Sequence, residues 1–320
     1  MNLLDKKVLV TGGAGFIGSH LVDLLVEKGA IVTVIDNLSA GNLINLKKSG
    51  KEIRFYQVDI LDARRIDKIV KENQIIFHLA ANADVPRSVK EPKFDFDTNI
   101  VGSFNLLKSA VDAKIEKFIF ASSAAVYGNP VYTPMDEKHP TNPISPYGAS
   151  KLAIEHLGRS YLETYGLPFV TMRIFNTYGE RQPRYVMYDL LKKLYKDNSK
   201  LEVLGTGKQL RDYSYVLDTA RAFVLAAENG KAGEIYNIAG GKPISIRDVV
   251  SCIIKTLSLK DLKVTYTNKS WPGDISILAA SIEKIKSELA FKPTIPLEIG
   301  IKRLHEYLLT STNTYKRGEL

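Results

Sequence analysis

Near its N-terminus the chain reads Val8-Leu9-Val10-Thr11-Gly12-Gly13-Ala14-Gly15-Phe16-Ile17-Gly18. The apolar run predicts a short strand, and an apolar helix pattern begins as soon as the glycines end. Glycines suit this turn because the chain must reverse tightly, admit a diphosphate to its backbone amides and pack the helix closely on the strand. The stretch therefore predicts a dinucleotide site at the amino end of a helix.

The ends of the following strands extend this site. Asp36 closes the second strand, where a carboxylate accepts hydrogen bonds from an adenosine ribose and repels a 2′-phosphate, so NAD is favoured over NADP. Asp59 ends the third strand, near the expected adenine. The fourth strand ends in His78-Leu79-Ala80-Ala81, whose small residues let a cofactor lie across the sheet. We expect His78 itself to be a hydrogen-bonded core histidine.

The first half of the chain alternates apolar runs with amphipathic segments. Candidate strands are Val8–Val10, Ile31–Ile35, Ile53–Val58, Ile75–Leu79, Phe118–Ala121 and Phe169–Met172. Candidate helices are Phe16–Lys28, Ala63–Lys71, Phe94–Ala113 and Pro146–Tyr165. Strands in series with helices between them predict an α/β protein with a doubly wound, parallel Rossmann-type sheet.

After about residue 176 the pattern loosens, and its strands are too few and short for a second large sheet. Helices are expected near Met187–Lys196, Val216–Ala227, Ile246–Leu257 and Leu297–Leu309, with strands near Leu201–Leu204, Glu234–Ile238 and Val264–Tyr266. We therefore expect a cofactor-binding domain over residues 1–175, a smaller α/β substrate lobe over 176–312 with some chain crossing back, and a flexible tail over 313–320. A cleft between the lobes is the expected ligand site.

Composition narrows the class of protein. The chain has 320 residues, 45% of them hydrophobic and 25% charged, which is typical of a globular protein with a sizeable core. The net charge of +9 comes from lysines scattered along helices, without a basic run, so no nucleic-acid partner is expected. One cysteine, Cys252, allows no disulfide within the chain, and no apolar window suggests a membrane span. We expect a cytoplasmic protein with no metal site.

A phenol and an ammonium lie four residues apart in Tyr147-Gly148-Ala149-Ser150-Lys151. On a helix these positions share a face. A cation beside a phenol stabilises the phenolate and lowers the pKa of the tyrosine toward the range where it exchanges a proton with substrate. The spacing alone is common on solvated helix faces, so its weight comes from the dinucleotide turn in the same half of the chain.

Taken in order, these motifs and Ser122-Ser123-Ala124-Ala125-Val126-Tyr127-Gly128 resemble the extended short-chain dehydrogenase/reductase family. The chain looks most like the UDP-glucose 4-epimerases and their nucleotide-sugar epimerase relatives. The similarity runs from Val8 to about Leu309. It continues in Arg173-Ile174-Phe175-Asn176-Thr177-Tyr178-Gly179, in Gly205-Thr206-Gly207 with Arg211-Asp212-Tyr213, and in Trp271-Pro272-Gly273-Asp274.

The resemblance implies a role for each matching residue. Tyr147 would be the acid and base, Lys151 would bind the nicotinamide ribose and lower the pKa of Tyr147, and Ser123 would hydrogen-bond the reacting sugar hydroxyl. NAD would also contact Gly12, Gly15, Phe16, Ile17, Gly18, Asp36, Asn37, Asp59, Ile60, Leu79, Ala80, Ala81, Asn99, Ser122 and Phe175. The nucleotide sugar would contact Asn176, Arg211, Asp274 and Arg87 besides Ser123 and Tyr147. A homodimer through Phe94–Ala113 and Pro146–Tyr165 would match the family.

Two positions depart from the family pattern. Trp271 stands where the relatives usually carry an arginine that clamps the substrate diphosphate, and an indole cannot form charge-assisted bidentate bonds. Either Arg87, Arg181, Arg184 or Lys269 substitutes for that arginine, or the nucleotide is held differently. Ser281 likewise replaces a frequent acidic residue.

The reaction implied is epimerisation at C4 of a nucleotide sugar, most simply UDP-glucose and UDP-galactose, through a 4-keto sugar. A nucleotide-sugar 4,6-dehydratase is the nearest alternative, but it needs an added acid and base after the serine, where this chain has Ala124 and Ala125. Related reductases or decarboxylases are further alternatives. A regulator that binds NAD without turnover is a different class, and it would have no reason to keep Ser123, Tyr147 and Lys151 together.

Overall fold

The computed structural model describes residues 1–269 and 275–316, and Trp271 and Asp274 lie outside these ranges. Strands and helices alternate through the first half of the chain. The strands are β1 (Lys7–Thr11), β2 (Ile31–Asp36), β3 (Ile53–Gln57), β4 (Ile75–His78), β5 (Lys117–Ser123) and β6 (Phe169–Ile174). The helices are α1 (Phe16–Glu27), α2 (Ala63–Val70), α3 (Val85–Lys90), α4 (Pro92–Asp95), α5 (Gly102–Asp112) and α6 (Pro146–Tyr165).

The second half adds shorter strands and further helices. Its strands are β7 (Asn176–Tyr178), β8 (Lys200–Val203), β9 (Leu210–Tyr215), β10 (Ile235–Ile238), β11 (Pro243–Ser245), β12 (Lys263–Tyr266) and β13 (Ile277–Leu278). Its helices are α7 (Val186–Lys196), α8 (Val216–Asn229), α9 (Ile246–Thr256), α10 (Glu283–Leu289) and α11 (Leu297–Lys316). Because α11 extends to Lys316, the first four residues of the expected tail are helical.

A seven-stranded parallel sheet is the centre of the fold, with the strand order β10-β6-β5-β4-β1-β2-β3. Alternate residues of each strand enter two different cores, as the period-2 geometry of a strand requires. Val8 and Val10 pack on the side of α1 and α8, while Leu9 packs on the side of α2, α5 and α6. Both faces are therefore buried, and the predicted doubly wound α/β fold is confirmed.

Two features differ from the sequence-based expectation. The strand predicted at Glu234–Ile238 is β10, which pairs with β6 in the large sheet rather than with strands of the small lobe. The helix preceding it, α8, packs against α1 on the same sheet. The predicted helix Phe94–Ala113 is divided, because a π-helical segment (Phe96–Val101) separates α4 from α5.

The second half of the chain has its own apolar core. It packs α7, α9 and α11 around small sheets in which β9 pairs with β7, β11 and β13, and β12 pairs with β8. Because β7 directly follows β6 and β9 runs directly into α8, this lobe is joined closely to the carboxyl edge of the large sheet. Within the described ranges, no helix combines the length and apolarity needed to cross a membrane.

Candidate active site

The glycine turn between β1 and α1 brings backbone segments so close together that no side chain fits between them. Gly12 has a φ of +69°, and a Cβ added there would lie 2.7 Å from the backbone nitrogen of Ala80. A Cβ at Gly18 would lie 2.2 Å from the carbonyl oxygen of Gly12. Side chains are thus excluded at both positions, so the amino end of α1 stays against the strand. No side chain caps α1, whose first N–H groups are left to bind an anionic group such as a diphosphate.

Asp36 holds the turn from the next strand. Its carboxylate is nearly buried and accepts hydrogen bonds from the N–H groups of Ala14 (3.0 Å) and Leu38 (2.8 Å). Burial raises the pKa of Asp36, and these two N–H groups oppose that rise. Since a carboxylate has about four acceptor positions, it retains capacity for the two hydroxyls of a ribose.

The neighbouring strand ends complete this edge of the sheet. Asp59 accepts a hydrogen bond from the Asn37 side chain (2.8 Å), and Ile60 is buried beside Gly102. The backbone nitrogens of Leu79 and Ala80 both donate to the hydroxyl of Thr11, at 3.2 and 3.1 Å. The residues expected to contact the adenosine and diphosphate of NAD therefore lie along one edge, and they fit a dinucleotide.

His78 is a core residue with both ring nitrogens satisfied. It is hydrogen-bonded to Thr11 (2.7 Å) and Ser103 (2.8 Å), which confirms the expectation of a structural histidine. Burial, followed by the positive charge of Lys151, lowers the pKa of His78 to about 3. The ring is therefore neutral at physiological pH.

The three residues expected to carry the chemistry meet beyond the carboxyl end of β5. Ser123 ends the strand, and its hydroxyl is close enough to the phenol of Tyr147 to lower the pKa of that phenol. Tyr147 lies in the first turn of α6, which begins with Ser145 as N-cap and Pro146. Lys151 follows one turn later, with Nζ 5.9 Å from the centre of the Tyr147 ring and 2.9 Å from the carbonyl oxygen of Ala121.

Electrostatics in this pocket differ from the simple expectation of a lowered tyrosine pKa. The side chain of Tyr147 is 9% exposed, and burial raises its pKa, while the Ser123 hydroxyl and Arg184 oppose the rise. Lys151 is 4% exposed, and burial lowers its pKa to about 8. In the protein alone, desolvation therefore outweighs the groups that lower the pKa of the phenol, and further positive charge is needed to stabilise a phenolate.

A buried polar network beside the pocket was not foreseen from the sequence. Asn99 lies in the π-helical segment, accepts a hydrogen bond from the backbone of Asn82 (2.7 Å), and donates to Asp95 (3.0 Å) and Ser150 (3.1 Å). Ser150 in turn donates to the carbonyl oxygen of Tyr147 (2.9 Å). Asn99, expected near NAD, therefore also fixes the first turn of α6.

A buried ion pair lies on the other side of Lys151. Glu155, the next residue on the same face of α6, binds Arg173 of β6 through contacts of 2.6 to 3.2 Å. The Ser122 hydroxyl donates to Glu155, next to Ser123. The guanidinium also lies over the Tyr127 ring, 4.7 Å from its centre. A charge pair at this depth would have been hard to infer from sequence, since Glu155 and Arg173 are 18 positions apart and lie on different elements.

Further residues expected to contact NAD or substrate lie on the segment that follows β6 and on β9. Phe175 is buried against the Tyr127 ring, and Asn176 begins β7 opposite Tyr213 of β9. Arg211 lies two residues before Tyr213 on β9, with its guanidinium 2.9 Å from the Leu210 carbonyl oxygen.

The cations considered as substitutes at position 271 are already paired for the most part. Arg181 binds Asp23 (2.7 Å) on α1, and Arg87 binds Glu91 (3.0 Å) on its own helix. Arg184 binds Asp84 (2.6 Å) at the start of α3. Of these, Arg184 is close enough to Tyr147 to lower the pKa of its phenol. Lys269 is exposed next to the undescribed residues 270–274.

Comparison with known proteins identifies the family. The family model described as GDP-mannose 4,6 dehydratase matches residues 9–304. The chain belongs to this family of extended short-chain dehydrogenases/reductases. Among curated members, the UDP-glucose 4-epimerase of Halalkalibacterium halodurans is 34% identical over 311 residues, 90% of this chain and 91% of the relative. The dTDP-D-glucose 4,6-dehydratase of Bos taurus is 33% identical over 329 residues, 98% and 92% of the two chains.

Solved structures of extended short-chain dehydrogenases/reductases have the same fold. A UDP-N-acetylglucosamine 4-epimerase from Methanobrevibacter ruminantium, in complex with UDP-N-acetylmuramic acid, has a TM-score of 0.90 and 35% identity over 96% of this chain and 99% of its own. The UDP-glucuronic acid 4-epimerase of Bacillus cereus, in complex with UDP-glucuronic acid and NAD, has a TM-score of 0.88 and 32% identity over 95% and 99%. The family thus includes both 4-epimerases and 4,6-dehydratases.

Proposed function

We propose that this protein is an NAD-dependent nucleotide-sugar 4-epimerase that interconverts UDP-glucose and UDP-galactose through a 4-keto sugar. The observation that carries the proposal is the convergence of three groups: the Ser123 hydroxyl lowers the pKa of the buried Tyr147 phenol, and Nζ of Lys151 lies 5.9 Å from the centre of the Tyr147 ring. Two hydroxyls and an ammonium that converge at the carboxyl edge of a parallel sheet are suited to alcohol oxidation and ketone reduction.

In this proposal Tyr147 is the acid and base. Its phenolate accepts the proton of the sugar 4-hydroxyl as the 4-keto sugar forms. After that sugar has rotated to present its opposite face, the phenol returns the proton to the same oxygen. Ser123 hydrogen-bonds the same sugar oxygen and keeps it within reach of the phenol. Burial of Tyr147 excludes water, which strengthens these interactions.

The glycine turn, Asp36 and Asp59 would hold the adenosine and diphosphate of NAD, and Lys151 would hold the nicotinamide ribose. When bound, NAD⁺ would supply the acceptor and donor of the C4 hydride, and its positive charge would favour the phenolate of Tyr147. Lys151 uses one N–H on the Ala121 carbonyl oxygen within the described residues, so its remaining donors suit ribose hydroxyls. The structures of relatives in complex with NAD support this assignment.

The choice of epimerisation over dehydration depends on the two residues after Ser123. Elimination of water needs an acid and a base beside the sugar, and Ala124 and Ala125 have no ionisable group. The curated relatives include both 4-epimerases and 4,6-dehydratases at similar identity, so the choice rests on these two residues. Asn176 and Arg211 are the residues that we assign to the nucleotide end of the substrate.

The test is an assay of the purified protein, after release and identification of its bound cofactor, on UDP-, dTDP- and GDP-sugars. We expect UDP-galactose from UDP-glucose, and we expect Tyr147→Phe to lower the rate by about 10²- to 10⁴-fold because it removes the proton acceptor. Tyr195→Phe is the matched control, since Tyr195 donates its hydroxyl to His305 in the groove between α7 and α11. A Tyr147→Phe variant with nearly unchanged turnover would refute the assignment. A keto-deoxy product from dTDP-glucose would establish the dehydratase instead.

We also infer a homodimer through the helical stretch that contains the π-helical segment and α5, together with α6. Phe96 and Phe104 are 52% and 43% exposed there, which is unusual for phenylalanine on a solvated helix. Burying both rings against a second copy would remove this apolar surface from water. Light scattering on the purified protein would reveal the dimer, and a monomer at micromolar concentration would exclude it.

A further inference from the structure

Asp95, the last residue of α4, is a buried carboxyl group that forms no ion pair of 4.0 Å or less with any residue that the structure describes. It is 1% exposed, and its Oδ1 accepts hydrogen bonds from the side chains of Asn82 (2.8 Å) and Asn99 (3.0 Å). Its Oδ2 accepts no hydrogen bond from any residue that the structure describes. Two neutral amides do not neutralise a carboxylate, and a buried charge is costly unless a charge of opposite sign lies nearby.

The π-helical segment connects this carboxylate to α6, the helix that carries Tyr147 and Lys151. Asn99 contacts both Asp95 and Ser150 through the same amide nitrogen, and Ser150 hydrogen-bonds the carbonyl oxygen of Tyr147. Lys151 is the residue after Ser150. A π-helical turn adds a residue to a helix and is frequent at functional sites. Asp95 is thus connected, through two side chains, to the backbone turn that separates Tyr147 from Lys151.

The charges that face Lys151 do not balance without Asp95. Glu155 is on the same helix, but Arg173 of β6 already neutralises it. His78 of β4 is neutral because its pKa is about 3. Among the described residues close to Lys151, Asp95 is therefore the carboxylate without a cation of its own, and it is the first of the groups that raise the pKa of Lys151.

The remaining charged groups around α6 are paired elsewhere. Arg184 forms an ion pair with Asp84. Arg184 and Tyr185 lie close enough to Tyr147 to influence the pKa of its phenol. Arg87 of α3 binds Glu91, and Asp97 of the π-helical segment binds Lys93 at the surface. On β5, Lys117 lies at the far end of the strand and donates to carbonyl oxygens at the end of α8.

We propose that Asp95 is a positioning residue of the active site, whose buried charge keeps the Lys151 ammonium protonated and whose link through Asn99 and Ser150 fixes Lys151 relative to Tyr147. The inference adds to the proposed function and rests on it only for the kinetic consequence. The effect of Asp95 on the pKa of Lys151 does not depend on which reaction the protein catalyses. Removing the carboxylate lowers the pKa of Lys151 from about 8, so the ammonium is lost at a lower pH.

The test is an NMR titration of the purified full-length protein labelled with ¹³C at the lysine ε-carbons. The Lys151 signal is assigned from its loss in Lys151→Met. In Asp95→Asn, which keeps the shape and one acceptor oxygen, we expect the midpoint to fall by about one pH unit. Asp97→Asn is the matched control, since it removes the same charge two residues away from an exposed pair with Lys93, and it should leave the midpoint unchanged.

The kinetic readout separates positioning from mere structural support. Asp95 also raises the pKa of Tyr147, so its removal by itself favours the phenolate. If Lys151 must be charged, Asp95→Asn should nevertheless lose turnover chiefly on the alkaline side and regain it near pH 6.5, where Lys151 is still protonated. A purely structural loss would lower the rate equally at every pH. A shifted Lys151 midpoint in a protein without nucleotide-sugar turnover would support Asp95 and refute the proposed function.

An unchanged Lys151 midpoint in folded Asp95→Asn would overturn the proposal. An equal shift in Asp97→Asn would also overturn it. If Asp95→Asn does not fold, Asp95→Ser takes its place, because a hydroxyl still accepts from Asn82 and Asn99 in a smaller volume. Failure of both variants to fold would assign Asp95 to folding alone and contradict the inference.

Discussion

Replacing Glu155 by glutamine tests how much the ion pair between α6 and β6 contributes to the fold. The side chains of Glu155 and Arg173 are 3% and 4% exposed, and the guanidinium makes contacts of 3.0, 3.2 and 2.6 Å with both carboxylate oxygens. Glutamine keeps the volume but leaves the Arg173 cation buried without a counter-charge. Removing one partner of a buried pair costs about 3–5 kcal/mol, because the remaining charge is desolvated and unpaired.

That free energy converts to a measurable shift in melting temperature. With an unfolding entropy of roughly 2.1 cal/mol/K per residue, a chain of 320 residues melts about 4–8 °C lower for a loss of 3–5 kcal/mol. The assays are thermal unfolding followed by circular dichroism and chemical denaturation of the same variants. Ser122, the neighbour of Ser123 in sequence, donates a hydrogen bond to Glu155. We therefore also expect Glu155→Gln to lower the turnover rate at temperatures where the protein is still folded.

Two companion variants control this experiment. Glu163→Gln removes an equal charge from the exposed pair with Arg159 on the same helix, and it should cost no more than about 0.5 kcal/mol. The double variant Glu155→Leu, Arg173→Met replaces the whole pair by apolar groups and should recover most of the stability. If Glu155→Gln melts within the range of Glu163→Gln, the buried charge is not desolvated as described and the reasoning is wrong.

Two further predictions concern acid sensitivity and assembly. Burial lowers the pKa of His20 to about 4 and that of His78 to about 3, so only the unfolded histidines take up protons between pH 6.5 and these values. The stabilisation is present above pH 6.5 and is lost as the pH falls, by about 2 kcal/mol per histidine at pH 5. Urea unfolding at pH 7.5 and 5.0 should show a smaller difference for His78→Gln than for the parent, and an equal difference would contradict the assignment. Phe104→Glu should convert the inferred dimer to a folded monomer in light scattering, because a charge is costly in an apolar interface, whereas a dimer of unchanged strength would place the interface elsewhere.

The sheet was predictable because its signals are local. The strand Val8–Val10, the glycines after it and the helix that follows determine one another over a short distance, and the same holds for each of the first six strands. The remaining strand of the large sheet, β10, shows the limit of this reasoning. Ile235–Ile238 has the pattern of a strand in any sheet, and only the packing of α8 on α1 brings it beside β6.

The site was predictable where residues follow from strand ends and helix spacing. Ser123, Tyr147 and Lys151 come together because β5 and the start of α6 meet at one edge. Asp95 was not predicted, and Asn99 was predicted only as an NAD contact and not as part of a buried network, because a π-helical segment has the same periodicity in sequence as an ordinary helix. The expected lowering of the Tyr147 pKa is not found in the protein alone, where burial raises that pKa, because helix spacing gives the distance between two groups but not their desolvation.

The late addition of β10 to the large sheet has a consequence for biosynthesis. On the ribosome, β6 is made long before Ile235–Ile238, so its outer edge has unpaired backbone groups while the nascent chain grows. Such an edge can pair with strands of other chains until β10 has been synthesised and has paired with β6. Substitutions in β10 should therefore reduce the yield of native protein even though that strand carries none of the residues assigned to the reaction.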